Sequence, residues 1–258
     1  MEGKKLCVPL KPVILIAMTY SDFINNISFR FFQPETKPFL GLGTLKRLLL
    51  KAHKPLDVFN TILPEKQDEY KSRLKEVVKV PRMSTFGVGA MINRGVSELK
   101  PDEAFVNVGV WNGFTFLSGV AQNPNITCVG VDNFSEFGGP REAFLERFNR
   151  LKSPNHFFYD MDYQEYFKNV HKGKIGFYIY DGGHKYADQL KGLQIAEPFF
   201  SDNCIILVDD TNWDEPREAT YDFIKQSKNK YKVLLDKKTA RNGHLTYHNG
   251  IIVFQKIG

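Results

Sequence analysis

Asp181, His184, Asp209 and Asp210 are the residues with which this sequence could do chemistry. They stand in two short segments, Ile175-Gly-Phe-Tyr-Ile-Tyr-Asp181-Gly-Gly-His184 and Cys204-Ile-Ile-Leu-Val-Asp209-Asp210. Each is an apolar, β-branched or aromatic run that ends abruptly in acid, the pattern of a buried parallel strand. Ligands of open α/β sheets lie in the crevice beyond the carboxyl ends of such strands. Three carboxylates at two neighbouring ends would converge on one place. Their oxygens suit a hard ion such as magnesium, which is held by few carboxylates plus waters and substrate oxygens. The imidazole beside them titrates near neutrality and could take a proton from a hydroxyl. Each aspartate could instead cap a turn, and His184 could simply open its own helix.

A second pattern lies upstream. Phe105-Val-Asn107-Val-Gly109-Val-Trp111-Asn-Gly113 reads as a strand, a glycine turn and a helix start. Gly109 would let the backbone turn tightly beside a ligand, and Gly113 would let the helix pack close. The spacing is not GxGxxG, so the dinucleotide fingerprint is not met. Asp132 ends the next apolar run about 20 residues on, where an acid can hold both ribose hydroxyls; the alternative is a strand-end turn residue. Asp160, after the third run, could contact an adenine amine, while Asp162 fits a helix cap equally well.

These residues need elements to hold them. Apolar runs at 104–110, 126–131, 156–159, 175–180, 204–208, 231–235 and 251–255 read as strands, with helical patterns at 113–121, 141–151, 162–170, 185–197 and 215–227 between them. No helix pattern separates the last two runs, which predicts an antiparallel hairpin. Its loop carries His244 and His248, placed to shape a turn or to reach the rim of the site. Upstream, a strand near 13–18, a helix around Leu45–His53 and a charged helix near Lys66–Val80 are expected, punctuated by Pro34, Pro38, Pro55 and Pro64. A helix capped by Ser84 or Thr85 should run to Leu99. The expected fold is α/β: a Rossmann-like, mostly parallel seven-stranded sheet ending in an antiparallel hairpin, with a mostly helical N-terminal extension. The extension spans 1–82, and the ligand-binding domain 83–258.

The bulk numbers are those of a globular chain, 258 residues with 42% hydrophobic and 25% charged. Its net charge of +6 is uneven. Residues 1–82 hold 15 Lys+Arg against 8 Asp+Glu, or +7; the rest hold 20 against 21, or −1. The basicity therefore lies away from the acidic strand ends. It fits a solvated helical surface better than a nucleic-acid footprint, since 69–76 interleaves both signs. Cys7, Cys128 and Cys204 are far apart, and the last two lie in apolar runs, which predicts buried thiols and no zinc site. Val13–Met18 is too short to span a bilayer and lacks a cleavage signal, so a cytoplasmic protein without membrane contact is expected.

In this order the motifs resemble the class I S-adenosylmethionine-dependent methyltransferases over about residues 84–256, and within them the magnesium-using O-methyltransferases of small molecules, often sugars. The carrying residues are Asn107-Val-Gly109-Val-Trp111-Asn-Gly113, Asp132, Asp181-Gly-Gly-His184 and Asp209-Asp210. The resemblance implies S-adenosylmethionine over Asn107, Gly109, Trp111, Gly113, Asp132 and Asp160. It implies Mg2+ on Asp181, Asp209 and Asp210, and His184 with Asp181 at the chemistry. A substrate hydroxyl would attack the cofactor's methyl group in line. Two departures stand out: Asn107 where the class usually has an acid, and Gly183 where some members carry a further aspartate. An NAD-dependent oxidoreductase and a methyltransferase-like binding module without catalysis are the competing readings. The acceptor molecule and any homo-oligomer stay open.

Overall fold

The computed structural model describes residues 18–37 and 53–258. The extension begins with α1 (Tyr20–Asn25), capped by Thr19, whose side chain accepts from Asp22 N. Then come β1 (Ser28–Phe29), α2 (His53–Asn60), β2 (Thr61–Ile62) and α3 (Gln67–Arg73). The expected strand near 13–18 and most of the expected helix at 45–53 lie outside the described residues. The helix that is described starts at His53 and contains Pro55, taken above as punctuation. Proline is tolerated there because the first N–H groups of a helix have no partner within it. The charged helix is shorter than expected: it ends at Arg73, and a 3-10 turn follows at Val77–Lys79.

α4 (Phe86–Ser97) leads into β3 (Glu103–Val108), α5 (Phe114–Val120), β4 (Thr127–Asp132), α6 (Arg141–Leu151), β5 (His156–Asp160), α7 (Tyr163–Asn169), β6 (Lys174–Tyr180), α8 (Tyr186–Ala196), β7 (Phe200–Asp209), α9 (Asp214–Gln226), β8 (Lys230–Lys237) and β9 (Ile251–Ile257). The seven strands of this run form one sheet in the order β5-β4-β3-β6-β7-β9-β8. The first five are parallel, and β9 runs antiparallel between β7 and β8. The expected fold is therefore the observed one.

Alternation along the central strands feeds two cores. Phe105, Phe177, Ile179, Ile205 and Leu207 face one layer, with α1, α4, α5 and α6. Val106, Tyr178, Tyr180, Ile206 and Val208 face the other, with α7 and α8. Burial on both faces is why these runs are continuously apolar. Phe177 alone, fully buried, is worth about 1.5–3 kcal/mol over exposure. The extension shares the first core: Tyr20 meets Phe177 edge to face, and Phe23 and Ile24 are fully buried beside it. Cys128 and Cys204 are free and buried. No described helix is long and apolar enough to cross a membrane.

The strand order reverses at β3. From it the chain builds outward to β4 and β5, then returns to place β6 on the other side. The carboxyl ends of β3 and β6 therefore flank the crevice where α/β sheets bind ligands.

Candidate active site at the β3–β6 crevice

A cavity of about 380 Å³ opens at this crevice, within the range that binds small ligands. Gly109, Trp111, Asp132, Asp181, His184 and Asp210 are among the residues that line it. Asp181 N donates to Val108 O at 2.9 Å, so the two strand ends are joined at the cavity floor. Gly109 follows with φ +78, and a Cβ on it would lie 1.8 Å from Asp181 O. Only glycine fits where the turn passes the neighbouring strand so closely. Gly113, φ +96, caps α5, and a Cβ there would press on Phe144.

Asp132 organises the turn. Its Oδ2 accepts from Val110 N and Trp111 N, both at 2.8 Å, and its Oδ1 from Phe134 N at 2.7 Å. Oδ1 can still accept from a donor in the cavity, because each carboxylate oxygen can accept twice. Trp111 stands at φ 43 and its indole donates to Phe137 O at 3.1 Å, forming part of the cavity mouth.

Two residues expected at the cofactor do not line the cavity. Asn107 is fully buried beneath the turn, and its Nδ2 donates to Val108 O at 3.1 Å and Gly109 O at 2.9 Å. An ionised acid here would face those carbonyls with no proton to give. The amide thus braces the turn from beneath. Asp160 is turned to Arg141, 2.5 Å away, outside the cavity. Its neighbour Asp162 does line the cavity, and it caps α7 by accepting from Gln164 N at 2.8 Å.

The acid cluster forms at the ends of β6 and β7. Donor atoms of Asp181, His184 and Asp210 all lie within 4.8 Å of one another. Asp209 lines the same cavity and its carboxyl shares a hydrogen bond with that of Asp181, though it is not among the three whose donor atoms converge. Asp209 belongs to β7 and pairs with Ile251, and Asp210 turns at φ 54 with its carboxylate on His184. His184 Nε2 meets Asp210 Oδ2 at 2.9 Å, and the imidazole packs on Trp213.

Burial, then the charges of Asp209 and Asp210, hold the Asp181 carboxyl well above the usual carboxylate range. Burial and Asp210 push Asp209 up to about 7. Burial alone would lower His184, but the hydrogen bond to Asp210 and the charges of Asp210 and Asp209 outweigh it and raise it. Carboxyls that must share protons near neutrality are a place where a cation would be stabilised. Two carboxylates and an imidazole fit a divalent ion, though the nitrogen suits manganese better than the all-oxygen sets typical of magnesium.

Two participants were not found from sequence. Asn249, in the β8–β9 loop, lines the cavity and donates to Asp210 Oδ1. Asp188, on α8, puts its Oδ2 2.9 Å from where a Cβ on Gly183 would stand, so a carboxylate occupies the space that residue 183 leaves open. An i+5 spacing across a helix start carries no signal that would have pointed to it. His244 is a turn residue, bonded to Thr246 Oγ1 at 2.8 Å and to Thr36 O at 3.2 Å, and neither it nor His248 lines the cavity.

Residues 106–211, which run from β3 past the acid cluster, match a family described as a methyltransferase domain. Solved structures share the fold over most of the chain. Cofactor-bound Rv0187 from MTB is 9% identical with a TM-score of 0.55, covering 85% of this chain and 98% of that one. The O-methyltransferase from Bacillus cereus in complex with SAH is 13% identical, TM-score 0.52, covering 76% and 93%. The O-methyltransferase TomG from Streptomyces achromogenes, involved in tomaymycin synthesis and in complex with SAM, is 12% identical, TM-score 0.50, covering 74% and 89%. No curated protein matches the chain. The chain is thus similar to a methyltransferase domain over residues 106–211 and shares its fold with solved O-methyltransferases.

Proposed function

We propose that the protein transfers the methyl group of S-adenosylmethionine to a hydroxyl oxygen of a small molecule, sugars being among the candidate acceptors, with a divalent cation at the acid cluster. The observation that carries this reading is the meeting of Asp181, His184 and Asp210 in the cavity that the Gly109 turn and Asp132 also line. The cofactor would lie over the turn with a ribose hydroxyl on Asp132. Asp181 and Asp210 would hold the cation, with Asp209 behind them. When bound, the ion supplies Lewis acidity that lowers the pKa of a ligated hydroxyl. His184, whose Nε2 is engaged by Asp210, would accept the hydroxyl proton at Nδ1. The oxygen–methyl bond forms as the sulfur–methyl bond breaks, and a neutral thioether leaves. No anion has to be stabilised on departure, so alignment carries much of the catalysis, up to about 7–11 kcal/mol in ideal cases.

The test is transfer of labelled methyl from S-adenosylmethionine to a panel of hydroxylated small molecules, with Mg2+ or Mn2+ and with EDTA. Transfer that stops in EDTA and returns with the ion is expected, while S-adenosylhomocysteine still binds. Full transfer in EDTA would leave the aspartates as turn residues. In the active system, His184→Ala should lower turnover by about 10²–10⁴-fold, the usual contribution of a positioned base.

A further inference from the structure

Asn249 lies in the loop between β8 and β9, far in sequence from the carboxylate it touches. Its amide is held at both ends. Gly243 N donates to Asn249 Oδ1 at 2.7 Å, which fixes which end of the amide is oxygen. Nδ2 therefore faces Asp210 and donates to its Oδ1. His184 Nε2 meets the other oxygen of Asp210 at 2.9 Å. The carboxylate cannot rotate without losing one of the two.

The backbone beneath is pinned by the same loop. Asp210 is left-handed at φ 54, a conformation an aspartate keeps only when its surroundings enforce it. Asn212 N donates to Asn249 O at 2.7 Å, and Trp213 N to Asp210 O at 3.1 Å. The loop is itself anchored to the extension, where Ala240 N donates to Pro34 O at 2.8 Å and His244 Nε2 meets Thr36 O. An amide fixed this firmly can impose an orientation on its partner.

We propose that Asn249 is a positioning residue for the acid cluster, holding the Asp210 carboxylate in the orientation that binds a divalent cation together with Asp181. The proposal rests on the divalent-ion reading above. Groups that hydrogen-bond metal ligands fix ligand direction, and their removal typically costs about 10–100-fold in ion affinity.

The test uses the full chain stripped with EDTA, titrated with Mn2+ by calorimetry and by the electron paramagnetic resonance signal of the free ion. Three proteins are compared: wild type, Asn249→Ala and Asn212→Ala. The Asn212 side chain braces the same loop through Thr239 and Asn242, yet its amide does not bond to Asp210. Asn249→Ala should weaken Mn2+ binding at least about tenfold, with S-adenosylhomocysteine affinity kept. Asn212→Ala should bind Mn2+ as the wild type does. Wild-type affinity in Asn249→Ala overturns the proposal. So does an equal loss in both variants, which would make Asn249 a loop brace only. A wild-type protein that takes up no Mn2+ overturns the ion reading and this proposal with it, before any variant is compared. If Asn249→Ala does not fold, judged by its far-ultraviolet circular dichroism, Asn249→Ser keeps a donor of shorter reach. It should show a smaller loss in the same direction, and no loss would count against the proposal.

Discussion

Asp132 holds the turn and, in the proposed function, would hold the cofactor with the same carboxylate. Three backbone N–H groups point at it, so its removal acts on two levels. Asp132→Ala should raise the dissociation constant of S-adenosylhomocysteine at least about tenfold, the loss of one charge-assisted hydrogen bond of about 1.5–3 kcal/mol. It should also lower the melting temperature, because Val110, Trp111 and Phe134 lose their acceptor. Calorimetry and a thermal melt separate the two effects; an unchanged dissociation constant would assign Asp132 to the turn alone. At this scale the sequence was informative where a residue type has one use. Gly109 and Gly113 in a strand–helix turn, and an acid after the next strand, could be placed without coordinates. Asn107 could not, because its partners are the carbonyls of a turn whose geometry no residue pattern encodes. Nor was the partner of Asp160 legible: Arg141, which binds it, is 19 residues away on α6.

The ends of β6 and β7 bring buried acid together, and that has a signature in pH. Asp209 has its pKa raised from 3.8 to about 7, chiefly by burial and then by Asp210. Between those values the folded protein holds a proton that the unfolded chain has released, so this group's contribution to stability falls as pH rises through about 7. Asp209→Asn removes the charge while keeping the shape. In EDTA it should raise the melting temperature at pH 8 and by clearly less at pH 5, where the folded carboxyl is neutral and only the unfolded chain's is ionised. A stabilisation equal at both pH values would mean that Asp209 is not charged at a cost. The strands themselves were legible because both-face burial writes a continuous apolar run, and every expected sheet strand falls within a few residues of its place. That Asp210, and not Asp209, meets His184 was not, since it depends on the left-handed backbone of Asp210. Pro55 misled by its usual role as a breaker, which the first turn of a helix does not enforce.

Across the whole molecule, a buried ion pair within the extension ties it to the start of α4. Arg82 grips both oxygens of Asp57, at 2.6 and 2.8 Å, and Asp57 Oδ2 also accepts from Phe86 N at the start of α4. The side chains are 5% and 1% exposed, so removing one partner leaves an uncompensated charge away from water. Asp57→Ala should cost about 3–5 kcal/mol in urea unfolding, and Asp57→Ala with Arg82→Met should cost less than the sum of the two single variants. Simple additivity would mean that the pair does not act as a unit. The charge tally of the sequence placed this extension outside the acidic site but gave no hint of the pair, whose members are 25 residues apart.

The order of the sheet also sets an order of assembly. β9 is the last of the described strands in the chain, yet it lies inside the sheet, between β7 and β8. Until it is inserted, β7 has an open edge, and β8 has no hydrogen-bonded neighbour among the described strands. A ribosome-bound chain lacking it would expose the apolar edge of a nearly finished sheet, the state most open to pairing with another chain. Insertion of Ile251–Phe254 closes that edge and, in the same event, brings Asn249 onto Asp210. Burial of the edge and completion of the site thus fall on a single late step of folding, so a chain that has finished its acid cluster has also passed its most aggregation-prone stage.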